Sequence, residues 1–90
     1  MRHVYENVPG IGDLVISRHA QIELATDNIK QEDIDRILFE EYEDVPDGIG
    51  VMWRQRCGVR LVIVLKPQPF RGAALVVTGY RIQGQKRVRA

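Results

Sequence analysis

His19 is the side chain best suited to acid–base chemistry, and it follows a residue that favours the start of a helix. The segment reads Ser17-Arg18-His19-Ala20. A serine hydroxyl can accept a hydrogen bond from the free amides of a first helical turn, which predicts a helix beginning at Arg18. A histidine in that turn lies beside amides that favour an anionic phosphate, and imidazole titrates near neutrality, which suits proton transfer. The alternative is a helical histidine without a chemical role.

Arginines follow each other at short intervals in the second half of the chain. Arg54 and Arg56 are two residues apart and share one face of a regular strand, and Arg60 follows a predicted turn at Cys57-Gly58. Guanidinium groups on neighbouring strands would form a phosphate-binding surface of fixed geometry. The alternative is an exposed strand whose charges prevent edge-to-edge pairing.

Tyr80 lies beside Arg81 at the end of the last predicted strand, and a regular strand places Thr78 on the face of Tyr80. A tyrosine hydroxyl can donate to a phosphate or a ribose, and its ring can stack on a base. Half-buried residues of an ordinary strand are the alternative. Trp53 alternates with the arginines, and we expect it to pack in the core.

The charges divide the chain at Gly48. Residues 1–47 contain all 12 acidic residues and four basic ones, which gives a net charge of −8. Residues 48–90 contain nine basic residues and no acidic one, which gives +9. A half of the chain whose charged side chains are all positive indicates a polyanionic partner, and nucleic acid is the partner that we expect.

Turn residues and the spacing of apolar residues predict the helices and strands that must position these side chains. Helices are predicted from Arg18 to about Thr26 and from about Gln31, the second with Ile34, Ile37, Leu38 and Tyr42 on its buried face. Strands are predicted at 14–16, 49–56, 59–66 and 73–82. The last two are apolar at successive positions, which predicts burial on both faces. The order β-α-α-β-β-β predicts an α+β fold in which a helical hairpin packs on one face of a small antiparallel sheet.

Length and composition predict one domain. Ninety residues can bury a single core. Residues 1–13 are expected to form an arm that is either mobile or an edge strand, and residues 83–90 a basic tail. One cysteine, no signal peptide and no long apolar run predict a cytoplasmic protein that does not enter a membrane. The two histidines and the one cysteine are not spaced in the sequence as metal ligands usually are. We therefore expect neither a metal nor another cofactor.

Three segments resemble motifs of the RelE/ParE superfamily of toxins, in particular its uncharacterised branch near the BrnT toxins. They are Ile16-Ser17-Arg18-His19-Ala20, then Glu32-Asp33-Ile34 with Ile37-Leu38, and Val76-Val77-Thr78-Gly79-Tyr80-Arg81. The resemblance extends roughly from Leu14 to Ile82, and its motifs are short. It implies a RelE-like sheet with a basic concave face. It also implies metal-independent RNA cleavage through the ribose 2′-hydroxyl, and control by a bound antitoxin.

The resemblance also implies roles for individual residues. His19 matches the family's histidine and would be the general acid or base, and Thr78 and Tyr80 match the closing strand. Arg54, Arg56 and Arg81 match only by region, as cations near the scissile phosphate. The chain departs from the pattern where related chains carry arginine, because Glu23 and Asp27 occupy those positions. Asn28 replaces a glycine, which is a mild change because asparagine tolerates the same backbone conformation.

The leading hypothesis is therefore a toxin-like, RNA-directed domain, in the first place a metal-independent endoribonuclease. Its expected partners are RNA, with the ribosome as one setting, and a cognate antitoxin or another inhibitory protein. The alternatives are a non-catalytic nucleic-acid-binding module and an antitoxin or immunity-type protein whose acidic helices contact a basic partner. The candidate catalytic residues are His19, Thr78, Tyr80 and Arg81. The candidate nucleic-acid-binding residues are Arg18, Arg54, Arg56, Arg60, Lys86, Arg87 and Arg89.

Overall fold

The computed structural model of the chain describes residues 2–67 and 72–82. The described elements are, in chain order, β1 (Val4–Val8), β2 (Gly12–Ile16), α1 (Arg18–Thr26), α2 (Gln31–Phe39), β3 (Glu43–Pro46), β4 (Val51–Arg56), β5 (Val59–Val64) and β6 (Ala73–Arg81). The strands form one six-stranded sheet in the order β1-β2-β6-β5-β4-β3. Among these residues, no helix is long and apolar enough to cross a membrane.

The predicted β-α-α-β-β-β fold is wrong in three respects. Two further strands, β1 and β3, form the edges of the sheet. The sheet is mixed, because β2 and β6 are parallel while the other neighbours are antiparallel. The helices do not lie on a four-stranded sheet as one hairpin: α1 packs against β6 and α2 against β4. Tyr42, predicted on the second helix, follows its end at Phe39.

The start and end of α1 follow from two side chains that the sequence singles out. Ser17 Oγ accepts a hydrogen bond from the Ala20 amide at 3.0 Å, which confirms the predicted N-cap. Its own amide donates to the Val76 carbonyl, so the start of the helix is attached to β6. Asn28, just past the helix, has φ 58°, a left-handed conformation that asparagine tolerates better than most residues.

Both helices bury their apolar sides against the same face of the sheet. Leu24 of α1 and Ile34, Ile37 and Leu38 of α2 belong to one core with the sheet residues Tyr5, Leu14, Ile16, Leu61, Ile63 and Val76. Tyr5 attaches β1 to α2, because its hydroxyl donates to Asp35 and accepts from Gln31. Burial raises the pKa of Tyr5 above its ordinary value. The arm expected at residues 1–13 thus contains an edge strand that is attached to the core through the buried Tyr5 and Val8.

The strand registers place a second set of side chains on the opposite side of the sheet, here called the open face. No described helix packs on this face. Its residues are Val4, Asp13, Val15, Glu43, Val45, Val51, Trp53, Gln55, Arg60, Val62, Val64, Ala73, Leu75 and Tyr80. Thr78 pairs with Val62 where the register of β5 and β6 shifts, and its hydroxyl contacts Glu23 of α1. The predicted burial of the last two strands on both faces is therefore not met within the described chain.

Gly79 marks the closest approach of α1 to the sheet. A Cβ atom at this position would lie 2.6 Å from Leu24 Cδ2 and 3.0 Å from Leu61 Cδ2. Both leucines are fully buried, so neither can move aside without disturbing the core. Any residue larger than glycine would push α1 away from β6.

We therefore expect Gly79→Ala to lower the free energy of unfolding by about 1–3 kcal/mol, as overpacking of a core does. Equilibrium unfolding in urea, followed by circular dichroism, measures the loss. In a Leu24→Ala background the same substitution should cost less than about 1 kcal/mol, because its main obstacle has been removed. Equal costs in the two backgrounds would refute the steric explanation.

Candidate nucleic-acid interface

Three arginines from three elements line one groove, here called the arginine groove. They are Arg36 of α2, Arg56 at the end of β4 and Arg81 at the end of β6. Arg56 pairs with Val59 across β4 and β5, and Val59 pairs with Arg81 across β5 and β6. The register thus places two arginines on either side of one valine, on the helical side of the sheet. The remaining lining residues are Asp33, Ile37, Cys57 and Val59.

The size and chemistry of the arginine groove favour a phosphate group. Its volume is about 290 Å³, at the lower limit of small-molecule pockets. Guanidinium groups match phosphate oxygens with paired N–H donors and stay charged at every physiological pH. The Asp33 carboxylate at the groove offsets part of the positive charge.

Two of the three arginines are held in place by residues of the acidic half. Arg56 Nη2 donates to Glu41 Oε1 at 2.5 Å, and the Glu41 side chain is 64% exposed. Arg81 Nε donates to the Asp27 carbonyl at 2.9 Å and its Nη2 to the Asn28 carbonyl at 3.1 Å. These contacts orient the guanidinium groups. The exposed pair to Glu41 is one that an incoming phosphate can displace at small cost.

The described part of the chain ends at Ile82, beside this groove. The amide of Ile82, the residue after Arg81, donates to the Gly58 carbonyl at 2.6 Å. The next eight residues of the chain contain Lys86, Arg87 and Arg89 and no carboxylate. These three predicted nucleic-acid-binding residues lie outside the residues that the structure describes.

His19 lies elsewhere, at the start of α1. Its side chain is 70% exposed, and its Nε2 is 4.0 Å from Glu23 Oε2. Glu23 Oε1 in turn accepts a hydrogen bond from Thr78 Oγ1 at 3.5 Å. Asp27, where Arg81 is attached, follows His19 by eight residues, or about 12 Å along a helix. The structure brings His19 near Thr78 and leaves it at the other end of α1 from Arg81.

Tyr80 and Arg60 form a cluster on the open face, with Trp53. The Arg60 guanidinium lies 3.9 Å from the centre of the Trp53 ring, and its Nη1 donates to the Tyr80 hydroxyl at 3.3 Å. Trp53, expected in the core, is only partly buried, and its indole N–H donates to Asp47. Arg60 is therefore separated by the thickness of the sheet from Arg56. Arg18 is exposed at the start of α1.

Arg54 has a different place from the one predicted for it, because it is fully buried. Its Nε and Nη2 donate to the two carboxylate oxygens of Asp44 at 2.7 and 2.8 Å. Its Nη1 donates to the Leu38 carbonyl and its Nη2 also to the Pro9 carbonyl. The guanidinium stacks on the Tyr42 ring at 3.7 Å. With its donors engaged inside the fold, Arg54 offers nothing to a phosphate, and we remove it from the candidate set.

Arg36 is the groove residue that the sequence analysis missed. It was counted with the acidic half, and it is the one basic residue of α2. Its position immediately before the buried Ile37 was the available signal, since that neighbour places it at the border between the helix and the sheet. In the described part of the chain, no group of three His, Cys, Asp or Glu side chains is arranged to hold a metal ion.

Comparison of the chain with protein-family models, with curated proteins and with solved structures finds no match. The resemblance to the RelE/ParE superfamily consequently stays a prediction from three short segments. The expected antitoxin partner and the ribosomal setting also stay predictions.

The buried position of Arg54 predicts a large effect on stability. Arg54→Ala should lower the free energy of unfolding by about 2–3 kcal/mol, because it leaves the Leu38 and Pro9 carbonyls without their donor, while water can hydrate the partly exposed Asp44 carboxylate. Arg54→Lys should also destabilise, since an ammonium group cannot reproduce the bidentate contact. Urea unfolding measures both.

Arg56→Ala is the matched control for this measurement. It removes an arginine of the same strand whose partner is mostly exposed, and it should cost less than about 1 kcal/mol. Similar losses for Arg54→Ala and Arg56→Ala would contradict the structural role of Arg54.

Proposed function

We propose that this chain is an RNA-directed domain that binds the phosphate backbone in the arginine groove. The observation that carries the proposal is the meeting of Arg36, Arg56 and Arg81 around one groove of about 290 Å³. The sequence after Ile82 contains three further cations, Lys86, Arg87 and Arg89. A bound strand would exchange condensed counterions for these side chains, which is the main source of affinity for a polyanion.

The groove supports this function better than the other predicted positions do. Arg54 is inside the core, and Arg60 is already covered by Trp53 and Tyr80. The choice of RNA over DNA rests on the resemblance of the closing strand Val76–Arg81. A test must therefore compare the two nucleic acids in parallel.

RNA cleavage is a second candidate function, favoured by the contact of Glu23 with both His19 and Thr78. A carboxylate 4.0 Å from an imidazole can orient the ring toward a substrate. His19 is exposed, so a ribose 2′-hydroxyl can reach it. Because α1 runs from His19 to the segment that holds Arg81, one RNA strand can contact the groove and the histidine together.

Binding of a labelled single-stranded RNA should depend on the groove arginines. We expect Arg36→Gln and Arg56→Gln each to weaken binding about three- to tenfold. Each should also reduce the slope of log K against log salt by about 0.7, the value for one lost phosphate contact on a single strand. Fluorescence anisotropy at several salt concentrations measures both quantities, with a DNA of the same sequence as the comparison.

Arg2→Gln is the control for this experiment, because it removes an exposed arginine whose guanidinium lies over the Tyr5 ring, away from the groove. It should leave the affinity within about twofold of the wild type. Binding that is unchanged in Arg36→Gln and Arg56→Gln, or equally reduced in Arg2→Gln, would exclude the groove as the binding site.

Cleavage is tested by incubating RNA with the purified protein in EDTA. If His19 is the general acid or base, His19→Ala should reduce the rate about 100-fold or more, and Glu23→Gln by a smaller factor. His3→Ala is the matched control, since His3 is the other exposed histidine of the chain. The same rate in the wild type and in His19→Ala would remove the catalytic assignment and leave the binding function standing.

A further inference from the structure

Among the described residues that line the arginine groove, Asp33 is the one carboxylate. It precedes Arg36 by three residues and Ile37 by four, so the three side chains lie on one side of α2. Arg56 and Arg81 line the groove from the ends of β4 and β6. The groove therefore has two arginines on its sheet side, and one arginine and one carboxylate on its helical side.

The Asp33 carboxylate is held in place by the start of α2. Its Oδ2 accepts a hydrogen bond from the Lys30 amide at 3.0 Å, which is the contact of a capping box. Within residues 2–67 and 72–82, no other hydrogen bond reaches this carboxylate, and no arginine forms an ion pair with it. The helix start thus fixes the carboxylate through one oxygen and leaves Oδ1 for a further donor.

Asp33 differs in its contacts from the other acidic residues near the groove arginines. Glu41 pairs with Arg56, and Asp27 accepts hydrogen bonds from Arg81, so these two residues orient arginines. The Asp33 carboxylate orients none of them. Its charge weakens the binding of a phosphate in the groove, because two negative charges repel each other. A ligand that offsets this repulsion must offer the carboxylate a hydrogen-bond donor.

The ribose 2′-hydroxyl is the donor of a nucleotide that lies closest to a phosphate, because its carbon is bonded to the carbon that bears the 3′-phosphate. Every ribonucleotide has this hydroxyl and DNA lacks it, so proteins use it to tell RNA from DNA at a given site. The N–H groups of the bases lie further away, across the sugar. A groove of about 290 Å³ is small for a ligand site, which favours the phosphate and its sugar over the base.

We propose that Asp33 makes the arginine groove selective for RNA, by accepting a hydrogen bond from a ribose 2′-hydroxyl beside the bound phosphate. The inference rests on the proposed binding function of the groove and adds the residue that recognises the sugar. A hydrogen bond from a hydroxyl to a carboxylate is charge-assisted and stronger than one between neutral groups. DNA has no donor at this place, so it meets only the repulsion between Asp33 and its phosphate.

Three labelled oligonucleotides of one sequence test this proposal by fluorescence anisotropy. They are RNA, DNA with deoxyuridine in place of thymidine, and 2′-fluoro RNA, which keeps the sugar conformation of RNA but has no hydroxyl. The wild type should bind the RNA about fivefold or more tightly than either of the other strands. Asp33→Asn keeps the shape of the side chain and removes its charge, and it should reduce this ratio to about twofold or less. The reason is that the repulsion is relieved for all three strands, whereas the hydrogen bond is weakened for RNA alone.

Glu32→Gln is the matched control, because it removes a carboxylate from the neighbouring position of α2, which is exposed and does not line the groove. It should change the three affinities by the same factor and keep the ratio of the wild type. If Asp33→Asn also keeps that ratio, Asp33 is a helix cap only and the proposal is wrong. If circular dichroism shows Asp33→Asn unfolded, Asp33→Gln replaces it, because glutamine is itself a capping-box residue. The same fall in the ratio is then expected.

The three strands also separate a failure of this proposal from a failure of the proposed function. Arg36→Gln should weaken the binding of all three strands alike, because each has the same phosphates. If it does so while the wild type binds the three strands equally, the groove binds phosphate and the role of Asp33 is refuted. Equal binding of RNA and 2′-fluoro RNA refutes that role too, whether the sugar conformation or a base donor is then recognised. If Arg36→Gln weakens the binding of no strand, the proposed function fails, and this inference fails with it.

Discussion

The buried guanidinium of Arg54 is the interaction on which the arrangement of this protein depends. It binds the Asp44 carboxylate of β3, the carbonyl at the end of α2 and the Pro9 carbonyl in the turn between β1 and β2. One side chain of β4 thus connects an edge strand, a helix and the turn at the other edge. A charge can be buried in this way because each donor has an acceptor and Tyr42 covers the plane of the group.

The position of Arg54 also fixes what its neighbours on β4 can do. Because side chains alternate along a strand, Arg56 shares the helical side with Arg54, and Trp53 is left on the open face. The first consequence is the arginine groove, where Arg56 meets Arg36 and Arg81. The second is the cluster of Trp53, Arg60 and Tyr80. The two sides of the sheet therefore differ in chemistry, because one contains the arginine groove and the other partly buried valines beside the Trp53–Arg60–Tyr80 cluster.

The division of charge at Gly48 takes on a different meaning in the folded chain. Arg54 pairs with Asp44, and Arg56 pairs with Glu41. The Arg81 side chain donates to the Asp27 carbonyl, and the Arg81 backbone amide donates to the Asp27 carboxylate. Each of these arginines comes from the basic half, and each partner comes from the acidic half. Part of the charge that indicated an external polyanion is thus used within the fold. What remains for a ligand is the exposed part of the groove.

Sequence patterns predicted the parts of this fold that have a local cause and missed those that have a distant one. The helix start at Ser17 and the left-handed Asn28 follow from the chemistry of single residues. β3 was missed because Glu43-Asp44-Val45-Pro46 has poor strand propensity, and proline is tolerated there only because the strand is an edge. The parallel pairing of β2 with β6 joins segments about 60 residues apart, and no local pattern reports it.

The candidate site, too, could be predicted from the sequence only where its cause is local. That Arg54 and Arg56 share a face follows from the two-residue period of a strand, whereas which face they share depends on where the helices pack. The contribution of Arg36 required the position of α2 over β4. Burial is a property of the whole chain, so the sequence could not separate the structural arginine from the accessible ones.

We propose that nucleic acid binds on the helical side of the sheet, at the groove that Arg54 helps to position. The most direct measurement is an NMR titration of the labelled protein with a short single-stranded RNA, monitored through the backbone amides. We predict progressive shifts of Arg36, Cys57, Gly58 and Arg81, with the amides of Val62 and Val64 unmoved. Shifts confined to the open face, or no shift at the groove at saturating RNA, would contradict the account.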